Sequence, residues 1–514
     1  MNPETSSKST SNERPRLAPA ERRALASELA RIVGPGGVLA ADDELIVYDV
    51  DGFTLEKFPP DLVVLPRTTE EVSAILSLAH ARGVPVVARG AGTGLAGGAL
   101  AEEGGIVLTT ARMDRLLELD PVDRLAVVQP GLVNLHLTQA AAPHELYYAP
   151  DPSSQMASTL GGNVATNAGG PHCLKYGQTH QHVRGLTFVL VDGTIVRAGG
   201  ASLDPPGLNL VGTMVGSEGT FGVVTEIVVG LLPRPEAVRT FLAIFESVEA
   251  AGEAVTTIIA RGIVPAALEM LDHLTIVAVE PGVKLGLPLD AGAALLVELD
   301  GIAAGMDRRA AEIHELCRAA GAREIREAKD EAERALLWKA RKGAFGAMGR
   351  IANGFYIMDG VVPRTKLPEI LRRIDAIARR FDLRIANVFH AGDGNLHPNV
   401  LYDVDDPDSV ARALHASHAI LEACVELGGS LSGEHGIGNE KRELMGLCFS
   451  AEDLETFARL RRAFDPSGRL NPRKILPMRP GCGEVGALNA RRRAAGSAVA
   501  GSAIGNGSDE EMWI

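Results

Sequence analysis

Three glycine-dense segments limit what this chain can fold into more than any other feature. The first is Ala88-Arg89-Gly90-Ala91-Gly92-Thr93-Gly94-Leu95-Ala96-Gly97-Gly98, which continues the apolar run PVVAR. The second runs from Pro150-Asp151-Pro152-Ser153-Ser154 to Thr159-Leu160-Gly161-Gly162-Asn163-Val164-Ala165-Thr166-Asn167-Ala168-Gly169-Gly170. The third, Gly216-Ser217-Glu218-Gly219-Thr220-Phe221-Gly222, leads into an apolar run that begins at Val223. Glycine lets the backbone approach a ligand closely and aim consecutive N–H groups at an anion. One such segment reads equally well as a tight turn. Three between residues 88 and 222, each at a strand edge, point to one extended anionic ligand. The common nucleotide motifs do not fit: there is no G-x-x-x-x-G-K-[ST], and the first segment opens no clear helix with an acid at the dinucleotide spacing.

Around these segments, short apolar runs alternate with Gly, Pro and Asn turns: GIVLTT, LAVVQP, LTFVLVDGTIVRA and GVVTEIVVGLL. Asp192-Gly193 is a strong hairpin signal. Residues 19–33 have helical spacing with Gly34 as the stop, and Thr68 with Glu71 forms a capping box for a helix through Ala81, ended by Gly83. Near Pro235 the pattern changes. TFLAIFES, a helix at 248–261, ALEML, a segment at 273–280 and AALLVELDG alternate strand and helix. A long charged helix is expected over 323–349, strands around 354–362 and 384–402, and a helix over 408–427 ended by Gly428-Gly429. Residues 1–17 read as a disordered leader and 481–514 as a disordered tail. The expected fold is α+β, with one region over 18–234 and another over 235–480.

Composition narrows the function. The net charge is −14 and no Lys/Arg-rich block stands in the ordered part, which argues against nucleic acid or an anionic membrane as partner. Cys173, Cys317, Cys424, Cys448 and Cys482 form no C-x-x-C pair, which argues against a disulfide framework and against an iron–sulfur cluster. No apolar signal segment opens the chain and no spanning run occurs, so the expectation is a cytoplasmic protein, with association to a membrane through partner subunits as the alternative.

The second region carries the chemistry. In Asn387-Val388-Phe389-His390-Ala391-Gly392-Asp393-Gly394-Asn395-Leu396-His397-Pro398-Asn399 a turn stands between two strands and brings His390 and His397 to facing strand ends. Ser432-Gly433-Glu434-His435-Gly436 follows as a glycine loop between helices. Two imidazoles and a carboxylate suit a divalent metal. Taken singly, each residue has a plainer reading: a loop histidine is usually a surface group, and Asp393 beside glycine is a turn former.

ARGAGTGLAGGAL, YYAPDPSSQMASTLGGNVATNAGGPHCLKYG and VGSEGTFGVVTE resemble the FAD-binding domain of the vanillyl-alcohol oxidase type. Residues 20–480 resemble the catalytic subunits of the bacterial glycolate oxidase family, relatives of the D-lactate and D-2-hydroxyglutarate dehydrogenases. The resemblance implies FAD on the three glycine segments: pyrophosphate on the first, pyrophosphate and flavin ring on the second, adenosine side on the third. No residue for covalent flavin attachment is recognisable, so FAD is expected to be non-covalent. It further implies a ferredoxin-like substrate domain and a divalent ion, zinc or manganese, on His390, His397 and Glu434. His435 would be the catalytic base, Asn399 a substrate contact, and Arg341 the partner of the substrate carboxylate. Phe345 and Tyr356 replace a threonine and a lysine of the D-2-hydroxyglutarate branch, which favours a short monocarboxylate. Oxidation of glycolate is the leading expectation and of D-lactate the second. Electrons would leave through an iron–sulfur subunit and a second flavin-binding subunit, or to a quinone. A non-catalytic flavin subunit and a flavin-free metallohydrolase compete. The first would have no need of the histidines, the second none of the glycine segments.

Overall fold

The computed structural model describes residues 16–203 and 206–478; the expected tail, Cys482 and most of the expected leader lie outside the described residues. The chain builds three main sheets. The first has four strands in the spatial order Val38–Leu39, Leu62–Val64, Ile106–Thr109, Val86–Arg89. The last three are parallel and almost wholly buried, which is why they read as unbroken apolar runs rather than alternating ones. Helix Thr69–Arg82 covers this sheet. Thr68 Oγ1 accepts the Glu71 N–H at 3.2 Å, and Gly83 closes the helix in the left-handed region. Strand Val86–Arg89 delivers the chain directly into the first glycine segment.

The second sheet is antiparallel, in the order Leu116–Asp120, Leu125–Val128, Val223–Gly230, Val183–Val189, Ile195–Gly199. The expected hairpin forms at its edge. Gly193 occupies the tip at φ +91°, where a side chain would run into Ser77. The third glycine segment feeds the central strand from Val223, so a sheet core anchors it.

The third sheet is antiparallel throughout, with seven strands in the order Glu324–Glu327, Ala237–Phe245, Ala293–Gly301, Ala267–Asp272, Arg384–His390, Asn395–Tyr402, Gly354–Ile357. Successive side chains serve opposite faces. Phe241, Ala243 and Phe245 pack under helices Val248–Ala260, Met306–Ala319, Leu367–Phe381 and Pro407–Glu426. Leu242 and Ile244 pack toward helices His273–Val283 and Glu331–Lys342.

Three departures from the sequence reading stand out. The single helix expected over 323–349 is a strand at Glu324–Glu327 followed by helix Glu331–Lys342. Pairing with Ala237–Phe245 overrides the helical propensity of the first residues, and Asp330 caps the helix by accepting the Glu333 N–H at 2.9 Å. Helices Met306–Ala319 and Leu367–Phe381 had no counterpart in the sequence reading. After helix Ala451–Phe464 the chain returns to the first region: Val86 N donates to Arg469 O and Asn471 N to Val86 O, which lays residues 469–471 alongside the first sheet. Among the described residues no helix is long and apolar enough to cross a membrane.

Candidate active site

A cleft of about 420 Å3 lies where the two regions meet. Its walls come from all three glycine segments: Gly90, Ala91, Gly92, Thr93, Gly94 and Gly98; Ser154, Gly162, Asn163 and Thr166; Glu218 and Gly219. A Cβ on Gly94 would meet nothing within 4 Å, so the open space there belongs to the cleft. Arg89, Gly161, Gly222 and Val223 line a smaller hollow beside it. Burial drives the Arg89 pKa down, and its Nη1 is buried without a partner. Asp51 also faces the cleft, and burial pushes its carboxyl up to about 6.

Several other residues of these segments make contacts within the scaffold. A Cβ on Gly97 would fall 1.8 Å from Asn439 Oδ1, so this glycine is required by packing. Asn167 ends a short helix in the left-handed region, and its Oδ1 accepts the His180 N–H at 2.9 Å. Gly216 N donates to Val164 O, the Pro150 carbonyl accepts from Asn134 Nδ2 at 3.0 Å, and Gly169 abuts Cys173 and Glu434. Asp151 is held by His172 at 3.0 Å and Lys342 at 3.1 Å.

The opposite wall carries Lys342, Phe345, Ile357, Glu434 and His435. Strand register brings the histidines together: His390 pairs with Asn395 and Val388 with His397, so both imidazoles project from one face. Their rings lie 5.1 Å apart and nearly perpendicular. Glu434 Oε1 lies 3.2 Å from His390 Nε2 and 3.3 Å from His397 Nε2. His435 stacks on His397 at 5.0 Å. Burial pushes the His435 imidazole down to about 4 against the pull of Asp359, which leaves it neutral and open to a proton.

The less expected part is the shell behind these groups. Glu269, fully buried, meets His390 Nδ1 at 2.8 Å and Arg341 Nε at 2.5 Å. Arg341 is only 1% exposed and stands behind His390 rather than on the cleft wall; its Nη1 has no protein partner. Asp359 accepts the backbone N–H of His435 at 2.9 Å and of Glu434 at 3.2 Å, the Ser432 hydroxyl, and Lys441 Nζ at 3.4 Å. Burial alone would raise the Asp359 carboxyl, but His435, Lys441 and His397 hold it well below the usual range. Asn399 is buried beneath, its Nδ2 donating to Ala386 O at 3.1 Å and His397 O at 2.9 Å. Sequence reasoning missed Glu269, Asp359 and Lys441, and, although it placed Asp151 on the cofactor side, it missed the pairing of Asp151 with His172 and Lys342. One signal was available: Glu269 is a charge inside the wholly buried strand ALEMLD.

The donor set fits a divalent cation. The ligand atoms of His390, His397 and Glu434 lie within 4.8 Å of one another, and both ring nitrogens of His397 are buried without hydrogen-bond partners. His390 with Glu269 behind it has the carboxylate–histidine form common among metal ligands.

Known proteins match this architecture. Residues 60–199 match the family described as FAD binding domain, and 234–475 match FAD linked oxidases, C-terminal domain. Glycolate oxidase subunit GlcD of Escherichia coli K12 is 50% identical over 452 residues, 88% of this chain and 91% of that protein. The Bacillus subtilis GlcD subunit is 39% identical, over 87% of this chain and 96% of that one. D-lactate dehydrogenase of Anaerostipes hadrus is 31% identical, over 86% of this chain and 95% of that one. Among solved structures, p-cresol methylhydroxylase superposes with a TM-score of 0.77 at 16% identity, covering 91% of this chain and 99% of that one, which shows the vanillyl-alcohol-oxidase-type fold alone. The chain therefore belongs to the FAD-linked oxidases, the family of the glycolate oxidase GlcD subunits and the D-lactate dehydrogenases, and is an FAD-dependent oxidoreductase.

Proposed function

We propose that this enzyme oxidises a small 2-hydroxy acid to the 2-oxo acid, with glycolate as the preferred substrate. The observation that carries the reading is the meeting of the glycine-lined cleft with the His390, His397, Glu434 and His435 cluster at one wall. Phe345 and Ile357 close that wall with apolar surface, and the Tyr356 hydroxyl turns away to Glu440, which suits a substrate with no second carboxylate. FAD, bound non-covalently, would supply the two-electron acceptor. A zinc or manganese ion on His390, His397 and Glu434 would supply a Lewis acid that lowers the pKa of the substrate hydroxyl.

The chain's own groups then divide the work. Arg341 Nη1, buried behind His390 without a hydrogen-bond partner, would be the donor for a substrate carboxylate seated against the histidine cluster. Asn399, its amide held by the backbone of two strands, keeps the strand of His397 in place. His435 accepts the hydroxyl proton while the C2–H bond breaks and its electron pair goes to the acceptor. The electrons leave through a partner: an iron–sulfur subunit with a second flavin subunit, or a quinone. The absence of any C-x-x-C pair in the sequence supports an acceptor outside this chain. A second reading, D-lactate, rests on the same residues and on the identity to D-lactate dehydrogenases. Dye reduction with a panel of 2-hydroxy acids tests the choice. Glycolate should give the highest kcat/KM and dicarboxylates the lowest; a preference for D-2-hydroxyglutarate would overturn the assignment.

A further inference from the structure

Glu218 sits in the third glycine segment, but its carboxylate is committed to the second region. It is 7% exposed and adopts φ +50°, a left-handed conformation that a side chain seldom takes without being held there. The backbone shows what holds it. Glu218 N donates to Ala165 O of the second glycine segment, and Asn471 Nδ2, from the returning chain, donates to Glu218 O at 2.7 Å. From that fixed base the carboxylate reaches across. Oε1 accepts the Ile437 N–H at 2.7 Å and Oε2 the Gly438 N–H at 2.8 Å. Gly436 turns tightly around it at φ +86°; a Cβ there would stand 2.8 Å from Glu218 Oε1.

The loop 432–438 is therefore strung between two carboxylates. Asp359 takes the N–H groups of Glu434 and His435 from the side of the seven-stranded sheet. Glu218 takes those of Ile437 and Gly438 from the side of the glycine cradle. Hydrogen bonds to an ionised carboxylate are shorter and about twice as strong as neutral ones, so both ends are firmly set. His435 lies between the two anchors. Asp359 fixes it to the rest of the histidine cluster, and Glu218 alone of the two ties its loop to the segments that face the cofactor.

We infer that Glu218 is a positioning residue, whose carboxylate sets His435 at its working distance from the flavin by joining the catalytic loop to the cofactor cradle. The inference rests on the reading of His435 as proton acceptor, and a double-mutant cycle separates the two. Glu218→Gln keeps the volume but turns one acceptor into a donor facing an N–H. Flavin reduction per bound FAD should slow on the order of 10- to 100-fold, the cost of a small misplacement, with FAD content and KM near wild type. In the His435→Ala background the same change should cost almost nothing more, because the group it positions is gone. Costs that add in the double variant would overturn the inference, as would a wild-type rate per bound flavin in Glu218→Gln. Normal reduction in His435→Ala alone would instead overturn the proton-acceptor reading. Glu218→Asp, which keeps the charge but withdraws it by one methylene, gives the same test should the glutamine variant fail to fold.

Discussion

The two walls of the cleft are built on opposite principles. The cofactor wall is mostly backbone: bare glycine, alanine and small hydroxyl residues, with Arg89, Asp51 and Glu218 as its charges. The catalytic wall is backed by a lattice of buried charge in which Glu269, Asp359, Lys441 and Arg341 are each at most 1% exposed. A backbone cradle tolerates loss of any one polar contact but not added bulk. A charge lattice tolerates shape changes poorly and loss of a partner worse, because the surviving charge is left buried and alone. The walls should therefore fail in different ways.

The largest effect is expected on the charged wall. His390→Ala or His397→Ala should abolish most turnover and remove the divalent ion, while FAD content stays near normal; elemental analysis beside the flavin spectrum checks this. Active wild-type protein free of metal would collapse the contrast and leave the histidines as direct substrate contacts. Arg341→Met comes next. It leaves Glu269 with the His390 imidazole as its one remaining partner among those described, so unfolding should lose up to roughly 3–5 kcal/mol, measured by denaturant titration. KM should rise as well; an unchanged stability would mean that Glu269 is protonated or otherwise paired. The smallest effect belongs to the cradle. Gly94→Ala adds one methyl to open cleft, so the apoprotein should keep its Tm while FAD affinity falls about tenfold, roughly 1.4 kcal/mol. Reconstitution titrations decide it, and unaltered FAD affinity would show that the cofactor does not approach Gly94.

The same contrast explains what could be read in advance. A backbone cradle writes itself into contiguous sequence, and so the glycine segments, their flanking strands and the family were legible. The histidine turn was legible for the same reason, since register in a hairpin follows from a few adjacent residues. The charge lattice was not. Glu269 lies 121 positions from His390, and Asp359 lies 76 from His435; only the packing of the seven-stranded sheet brings them together. Arg341 was found, but not its pairing with the buried Glu269. The role of Glu218 was hidden by its motif: a residue within a glycine segment reads as part of the cradle, and nothing local shows its carboxylate crossing to Ile437 and Gly438. The strand at Glu324–Glu327 was missed because its residues favour helix and only edge pairing makes them a strand.

The central claim is that proton removal by His435 and electron transfer to FAD occur in one cleft on a small 2-hydroxy acid. Anaerobic mixing of FAD-loaded protein with glycolate, followed through the visible flavin band, tests it directly. The wild type should bleach rapidly and without added acceptor. His435→Ala, with FAD and metal retained, should bleach slower by on the order of 10²–10⁴. Bleaching of that variant at the wild-type rate, or a wild type that no small 2-hydroxy acid bleaches though dithionite does, would contradict the account.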